Sequence, residues 1–351
     1  MTKNIFLKGL LAAGLSLGCF SQGSAVENNY QVSESSGKLL EFPVGVRASG
    51  MGGAFVGVSD DVNGIFWNPA GLAQVGDLEL NLGYTNLYSL ITLESLVYGQ
   101  PFAGGVIALG VNYADYGPVE KFGLDEHQNP IPLDSSLTPH ALFGNLAWAT
   151  SLSKYFYLGV AVKALQENYE IENRTMAALD AGAYFITGIR GLKLGLSAQN
   201  LQIPYMKGSL PVVLRAGMSY LLPTVWDQDR FTAAVDFNLP TVSAANTAVG
   251  AEYWIQDIFA LRAGYGFSEK RQDDRLLGFS VGASIKFYFV QIDYAFLPNS
   301  ELGDTHRISL LTRFAGQSRK SQTSQTSELE KKNEGKSAPK RYFYQYLFST
   351  E

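Results

Sequence analysis

Apolar and polar residues alternate along most of the chain, from Asp77 to Phe314. The period of two is typical of β-strands and differs from the longer period of an amphipathic helix. Clusters of Gly, Pro, Asn and Asp divide the pattern into about fourteen segments. The predicted strands are Leu78–Leu87, Ile91–Gln100, Val106–Ala114, His140–Ser151, Tyr157–Tyr169, Met176–Thr187, Leu192–Leu201, Val212–Leu222, Phe231–Leu239, Thr247–Ile255, Phe259–Phe267, Leu277–Lys286, Tyr288–Phe296 and His306–Phe314.

Each predicted strand has an apolar face and a more polar face. In Tyr288–Phe296 the apolar residues alternate with Gln291 and Asp293, and in Phe231–Leu239 they alternate with residues that include Asp236. The strands of a soluble sandwich alternate in the same way, so this pattern alone fits both a soluble β protein and a membrane barrel.

Segment length and aromatic residues favour the membrane barrel. Many segments reach the ~9 to 11 residues that a tilted strand needs to cross a bilayer. Tyr, Phe and Trp are concentrated at segment ends, at Tyr84 and Tyr88 and in Tyr155–Tyr157, Tyr253–Trp254 and Phe287–Phe289. Such positions are typical of the aromatic girdles of outer-membrane barrels.

The connections between segments alternate between long and short, as they do in these barrels. If the chain begins in the periplasm, the external connections include Asp115–Pro139, Glu170–Thr175, Gln202–Pro211, Ser268–Arg275 and Leu297–Asp304. The internal set includes Pro101–Gly105, Ser153–Phe156, Gly188–Gly191, Gln256–Ile258 and a near-direct turn at Phe287, whereas Pro223–Arg230 is longer than this rule expects. We therefore predict an all-β fold, a closed antiparallel transmembrane β-barrel of about fourteen strands at 77–314.

The stretch before the first strand, Arg47–Val75, follows neither period. On the predicted topology it starts at the periplasmic side and can fold into the lumen, which is too wide in such a barrel to be filled by wall side chains. Its apolar residues, among them Phe55, Ile65 and Trp67, argue against an ordinary linker. We predict that residues 26–76 form a plug, with a motif at Gly50, Gly52, Gly53, Asp60, Asp61, Asn68, Pro69 and Gly71.

Several motif residues have expected local roles. Asp60 and Asp61 are expected to cap a short helix from Val62 or to bind lumen arginines. Asn68–Pro69, followed by Gly71, predicts a tight turn.

These residues resemble a known family. Gly50–Val56, Asp60–Asp61 and Asn68–Leu72 are together similar to the PorV/PorQ family, distant relatives of the FadL outer-membrane transporters. Stretches that begin at Leu194, Val249 and Ile292 are similar to the family pattern in the same order, so the resemblance covers about residues 44–314. It implies a fourteen-stranded barrel with an N-terminal plug. It also implies that Phe314 serves as an internal version of the terminal aromatic that barrel-assembly machinery recognises.

Charged residues are expected on the lumen face of the strands. Their signs are mixed, whereas a pore selective for one ion sign would show a ring of like charge. We therefore expect them to pair with each other and with the plug in a gated or occluded barrel. They are Lys163, Arg215, Asp236, Glu252, Arg262, Lys286, Asp293, Arg307 and Arg313.

The first residues predict export. Lys3 and Lys8 precede an apolar run, and Gly23–Ala25 supplies small residues for signal-peptidase cleavage after Ala25. Cys19, the only cysteine, allows a lipoprotein signal as the second interpretation. With residues 1–25 as a cleaved signal peptide, the predicted location is the outer membrane of a diderm bacterium.

The chain continues beyond the last predicted strand. Residues 315–351 are rich in Ser, Gln, Lys and Glu, which predicts a disordered periplasmic tail. Its aromatic end, Arg341–Phe348, is either a docking peptide, an internal stopper or an end without a selected role.

Composition and chemistry exclude several functions. The net charge of -5 argues against nucleic acid as a partner. His127, His140 and His306 lack metal-ligand spacing, and no catalytic motif falls within the mature chain. We therefore expect no enzyme activity, metal or cofactor.

Two functions fit the predicted barrel. The first is transport of small hydrophobic compounds through a plugged channel, and the second is a PorV-like role in a type IX-like secretion system that binds exported proteins. Expected partners are outer-membrane lipid, barrel-assembly machinery and either a hydrophobic ligand or secreted proteins.

Overall fold

The computed structural model describes residues 37–42, 44–125, 127–169, 173–203, 210–222, 229–268, 278–299 and 303–314. The predicted signal peptide, with Cys19, and the predicted tail lie outside the described residues. The expectations for those two segments stay predictions.

Strands make up most of the described chain. The helical elements are three 3₁₀ helices, Lys38–Glu41, Val62–Phe66 and Pro69–Gln74, and one short α-helix, α1, Val46–Gly50. The strands are β1 Leu78–Leu87, β2 Ile91–Phe102, β3 Gly105–Asp115, β4 Val119–Leu124, β5 Pro130–Leu137, β6 His140–Ser153, β7 Phe156–Asn168, β8 Asn173–Ile186, β9 Leu192–Gln202, β10 Val213–Leu222, β11 Arg230–Pro240, β12 Asn246–Ile255, β13 Phe259–Ser268, β14 Phe279–Phe287, β15 Val290–Leu297 and β16 Thr305–Phe314.

Fourteen of these strands form one closed antiparallel barrel in chain order. The first and last strands close it, with Leu78 opposite Phe314 and Asn86 opposite His306. Strand β3 pairs directly with β6, because β4 and β5 form a separate two-stranded sheet. The predicted fold class is confirmed, and every predicted strand corresponds to a strand of the barrel.

The differences from the predicted strands are local. Tyr288 was expected to begin a strand but lies in a turn with a φ of 53°, and β15 begins at Val290. The β4–β5 hairpin was not predicted, since its segment had been assigned to a long external connection.

The two ends of the barrel differ in their connections. Five of the six turns at one end have two to five residues, as at 103–104 and 288–289, and we call this the short-turn end. The opposite end carries the β4–β5 hairpin and the connections 203–212 and 298–304, and we call it the long-loop end. The chain enters β1 at the short-turn end.

The outward face of the barrel is apolar. Examples are Leu96, Val160, Leu196, Phe237 and Leu261, with exposed fractions from 45% to 59%. Exposed apolar side chains of this kind occur on every strand of the barrel, which is what a lipid-facing wall requires. No helix among the described residues is long and apolar enough to span a bilayer.

Most of the aromatic residues expected at strand ends face outward. Tyr84, Tyr155 and Tyr288 are 43% to 54% exposed. Trp254 differs, because it is buried and its ring lies 5.7 Å from the guanidinium of the inward-facing Arg262.

Candidate functional site

Residues 44–76, which we call the inner segment, lie inside the barrel. Most residues of the segment are buried, although only about half of them belong to its short helices. Its contacts reach the inward faces of strands around the wall, from Glu79 on β1 to Arg307 on β16. The position of the inner segment within the bore explains why its apolar residues are buried although they do not belong to the sheet.

Local sequence fixes the turns of the inner segment. The Asp61 carboxylate accepts a hydrogen bond from the Asn63 N–H and caps the helix Val62–Phe66. The Asn68 side chain accepts from the Ala70 N–H, and Pro69 occupies the first position of the next helix. Both caps satisfy backbone donors that the bore would otherwise bury without partners.

Glycine is required at specific points of this path. Gly52 and Gly53 have φ values of 66° and 86°, in the left-handed region that favours glycine. A Cβ on Gly71 would overlap the Ser59 carbonyl, and one on Gly50 would lie 3.2 Å from the Gly282 Cα.

Strands β7 to β14 form what we call the anchored wall. Their inward glycines let the backbone of the inner segment approach the backbone of the wall directly. A Cβ on Gly217 would lie 2.5 Å from the Gly57 nitrogen, and one on Gly264 would overlap the Gly52 nitrogen. Gly159, Gly182, Gly195 and Gly250 are in similarly close contact.

Hydrogen bonds complete the anchored wall. The Asp236 carboxylate accepts from the backbone N–H groups of Phe55 and Val56, each at 2.6 Å. The hydroxyls of Tyr184 and Ser219 both donate to the Gly57 carbonyl, at 2.9 and 2.6 Å. The wall therefore satisfies the irregular backbone of the segment, which a buried loop requires.

A buried charge cluster ties the inner segment to the wall near the short-turn end. Arg47 Nη1 lies 2.5 Å from Asp60 and 2.9 Å from Asp61, and its Nη2 lies 2.7 Å from Glu252. Arg262 bridges Glu252 at 2.6 Å and Asp293 at 3.3 Å. The aspartate pair thus binds an arginine of the inner segment itself rather than a wall arginine.

The cluster controls the protonation of its members in the inner segment. Burial by itself would lower the pKa of Arg47, but the charges of Asp60 and Glu252 hold that pKa well above its usual value. Burial would raise the pKa of Asp60, and the charge of Arg47 outweighs it, so the pKa of Asp60 is lowered. Both groups stay charged at neutral pH.

The remaining charges expected on the lumen face also find polar partners. Lys163 lies 2.8 Å from Asp180, and Arg313 lies 2.8 Å from Glu79. The other contacts are Lys286 to Asp257 at 2.5 Å, Arg307 to the Ser49 hydroxyl at 2.8 Å, and Arg215 to Gln199 at 3.0 Å and Asn238 at 3.2 Å. The sequence analysis places Lys163 and Arg313 on the lumen face but omits their carboxylate partners. The alternation of β1 and β8 nevertheless puts both partners, Glu79 and Asp180, on the inner face.

Strands β2, β3 and β6 meet the inner segment differently, and we call their contact with Val62, Ile65 and Phe66 the apolar seam. Val62 Cγ2 lies 2.8 Å from the position of a Cβ on Gly99, and the Phe66 ring packs edge-to-face with Phe143 at 6.5 Å. Within the described part of the chain, no hydrogen bond or ion pair joins these three strands to the inner segment. The seam is held by packing alone.

A cavity of about 520 Å³ opens above the inner segment at the long-loop end, and we call it the vestibule. Gly52, Gly53 and Trp67 lie at its floor, and Arg215 and Arg307 face it from different strands. The Arg215 guanidinium lies 4.9 Å from the centre of the Trp67 ring, and among the residues that the structure describes it donates hydrogen bonds only to neutral acceptors.

The described residues contain no group of three or more His, Cys, Asp or Glu side chains arranged to hold a metal ion. Phe314, the expected assembly signal, is 45% exposed on the outer face, and its ring lies 5.5 Å from Phe289.

Fold and site together define a fourteen-stranded transmembrane β-barrel whose bore is filled by its own N-terminal segment. Solved structures with a similar fold include the Pseudomonas putida toluene transporter TodX, with a TM-score of 0.51 and 11% identity over 75% of this chain and 95% of that one. A Pseudomonas aeruginosa FadL homologue gives a TM-score of 0.50 and 12% identity over 78% of this chain and 99% of that one. At such identities the likeness establishes the fold.

One protein of similar sequence is a UPF0164 protein of Treponema pallidum (strain Nichols), 24% identical over 229 residues, which are 60% of this chain and 69% of the relative. No family model matches the chain. The names of these relatives do not include PorV or PorQ, so that resemblance stays a prediction.

Proposed function

We propose that this protein is an outer-membrane channel that takes up small hydrophobic compounds. The observation that carries the proposal is the occupied bore within a barrel of the TodX and FadL architecture. The inner segment fills the bore with apolar side chains along the seam and with paired charges near the short-turn end, so a solute has to displace one of these contacts to pass. The transfer of a small apolar solute from water to an apolar environment is favourable. Such a solute can therefore pass where packed apolar side chains move apart.

The vestibule is the entrance in this proposal. Its volume of about 520 Å³ falls within the roughly 300 to 1,000 Å³ of pockets that hold small molecules. From Trp67 at its floor, the solute moves along the apolar seam, because that contact opens without breaking hydrogen bonds or ion pairs. The inner segment acts as the plug, and its anchored side stays in place.

The location follows from the same proposal. The apolar outer band requires a bilayer, and barrels of this kind occur in outer membranes. Cleavage of the signal peptide after Ala25, insertion by barrel-assembly machinery and a role for Phe314 in that step belong to the proposal. Membership of the PorV/PorQ family belongs to it as well.

The test is uptake of radiolabelled toluene by diderm bacteria that carry the protein in their outer membrane. The only cysteine, Cys19, lies outside the described residues, so single cysteines can be introduced for labelling. Ser268→Cys faces the vestibule, and Phe267→Cys, its neighbour, faces outward with 52% of the side chain exposed. A bulky maleimide should block uptake in the first variant and leave it unchanged in the second.

Toluene uptake no faster than in cells without the protein would overturn the proposal. Equal inhibition of both labelled variants would show that the vestibule is not the entrance. A hydrophilic sugar of similar size serves as the reference solute, and its uptake should not rise when the protein is present.

A role in protein secretion is the second candidate, and the β4–β5 hairpin favours it. Phe122, Leu124, Ile131 and Leu133 are 42% to 69% exposed there, at the long-loop end. An isolated two-stranded sheet is marginally stable in water and gains from a partner. Cross-linking at the hairpin tests this role, since capture of exported proteins would support it and capture of none would exclude the hairpin as their binding surface.

A further inference from the structure

Two asparagines interrupt the apolar seam on the wall side. Asn112 on β3 is 0% exposed and Asn145 on β6 is 1% exposed. None of their four amide atoms has a hydrogen-bond partner in the described part of the protein. Buried amides without partners are unfavourable and rare in folded proteins, so two of them at neighbouring positions mark a place where a small polar molecule can bind.

The two side chains are close enough to act together. Asn112 lies opposite Phe143 and Asn145 lies opposite Gly110, which makes the asparagines diagonal neighbours on one inner face. Diagonal neighbours in a sheet lie roughly 7 to 8 Å apart, with their Cβ atoms somewhat closer, and one small polar group bridges this gap. Phe66 covers Gly110 from the inner segment, with its Cζ 3.0 Å from the position of a Cβ there.

The asparagines are also near the vestibule. Phe143 and Lys163, the residues opposite Asn112 and Asn145, line a narrow cavity of about 10 Å³ that shares lining residues with the vestibule. Trp67 and Arg215 line both this cavity and the vestibule. Since Lys163 is paired with Asp180 at 2.8 Å, it adds no net charge to the site.

We propose that Asn112 and Asn145 form a binding site for the neutral polar group of an otherwise apolar solute, such as the hydroxyl of an alcohol or a phenol. An amide both donates and accepts, so one hydroxyl can accept from the first asparagine and donate to the second. The two amides carry no charge, so they offer a charged head group no counter-charge in exchange for its hydration. The inference rests on the proposed uptake function and narrows its solutes to neutral amphiphiles.

The test compares binding of benzyl alcohol and toluene, which differ by one hydroxyl. Binding is measured as the protection of the purified full-length protein in detergent against heat unfolding, over a range of ligand concentrations. We expect about tenfold tighter binding of benzyl alcohol than of toluene, since a site built to bind a hydroxyl disfavours the analogue that lacks it. In the Asn112→Leu/Asn145→Leu variant this preference should disappear through weaker binding of the alcohol.

Each single variant should lose part of the preference, which keeps the test available if the double variant does not fold. Gln291→Met is the matched control, because it removes another buried inward-facing amide, on β15, whose nitrogen already donates to Asp293 at 2.8 Å. It should keep the preference.

Equal binding of the two ligands by the natural protein would overturn the inference, and so would a preference that survives in the folded double variant. Uptake by cells is a separate readout. Alcohol-selective binding without uptake of either compound would overturn the proposed function and leave the asparagine site intact.

Discussion

The two sides of the bore hold the inner segment by different forces. On the anchored wall, the backbone of the segment lies against wall glycines, and Asp236, Tyr184 and Ser219 satisfy its polar groups. On the apolar seam, Val62 and Phe66 pack against β2, β3 and β6 without a hydrogen bond among the described residues. Hydrogen bonds and ion pairs depend on direction and distance, whereas apolar packing tolerates small displacements.

This difference shows how one short segment can stay attached to the wall and still let a solute pass. A segment anchored on all sides would seal the barrel, and one anchored nowhere would leave it leaky. Anchoring along one side restricts motion to the other. The vestibule lies directly above, and Trp67 belongs to its floor.

The largest expected effect comes from the charge cluster. Arg47→Met leaves Asp61 and Glu252 buried with less compensating charge, which should cost about 3 to 5 kcal/mol of stability. Lys286→Met is the control, because Lys286 and Asp257 are 26% and 46% exposed and their pair should contribute less than about 1 kcal/mol. Urea unfolding in lipid vesicles measures both, and equal losses would contradict the account.

Glycine contacts give the next largest effect. Gly264→Ala places a methyl group against the Gly52 backbone and should destabilise the protein by about 1 to 3 kcal/mol. The matched change is Gly144→Ala, where a Cβ meets only the Gly110 carbonyl oxygen at 3.7 Å. The free energy of unfolding of that variant should lie within about 0.5 kcal/mol of that of the natural protein. If both glycines tolerate alanine equally, close backbone contact does not anchor the segment.

Polar residues on the two sides should respond with opposite signs. Asp236→Asn weakens the acceptor of two backbone N–H groups and should lower stability by about 1 to 2 kcal/mol. Asn145→Leu removes unpartnered amide atoms from the seam and should raise stability by about 1 kcal/mol. Urea unfolding decides this as well, and a loss of stability in both variants would mean that the amide of Asn145 is satisfied in the folded protein.

The smallest effect concerns acid stability. Because Arg47 lowers the pKa of Asp60, this carboxylate stabilises the folded state above its ordinary pKa of about 3.9, and the contribution is lost as the pH falls through the lowered value. Asp60→Asn should reduce the stability that is lost on acidification by less than about 1 kcal/mol, since the Asp60 side chain is 37% exposed. Stability measured between pH 2 and 7 tests the sign, and a larger acid loss in the variant would contradict it.

Strands were predictable from the sequence because lipid on one side and the bore on the other impose a strict alternation. In β15 that alternation placed Asp293 inside and Ile292 outside, as the structure has them. The β4–β5 hairpin lacks such a contrast, because residues on both of its faces are exposed, and no pattern marked it.

The site was less predictable because it depends on where the inner segment runs. Asp61 was expected to cap a helix or bind an arginine, and it does both, but its partner Arg47 lies in its own segment. The pairing depends on a path that folds the chain back on itself. The lack of partners at Asn112 and Asn145 is a property of the packed seam and has no sequence pattern.

The central claim is that solutes pass along the seam while the anchored wall stays fixed. Two disulfides test it most directly, in cells that take up toluene. Val62→Cys/Gly99→Cys locks the seam, where Val62 Cγ2 lies 2.8 Å from the position of a Cβ on Gly99. Gly53→Cys/Ala248→Cys locks the anchored wall, where the position of a Cβ on Gly53 lies 4.0 Å from the Ala248 Cβ, a separation that a disulfide spans. The seam lock should reduce uptake about tenfold until a reductant is added, and the wall lock should leave it within about twofold. Full uptake with the seam locked, or a block only when the wall is locked, would contradict the account.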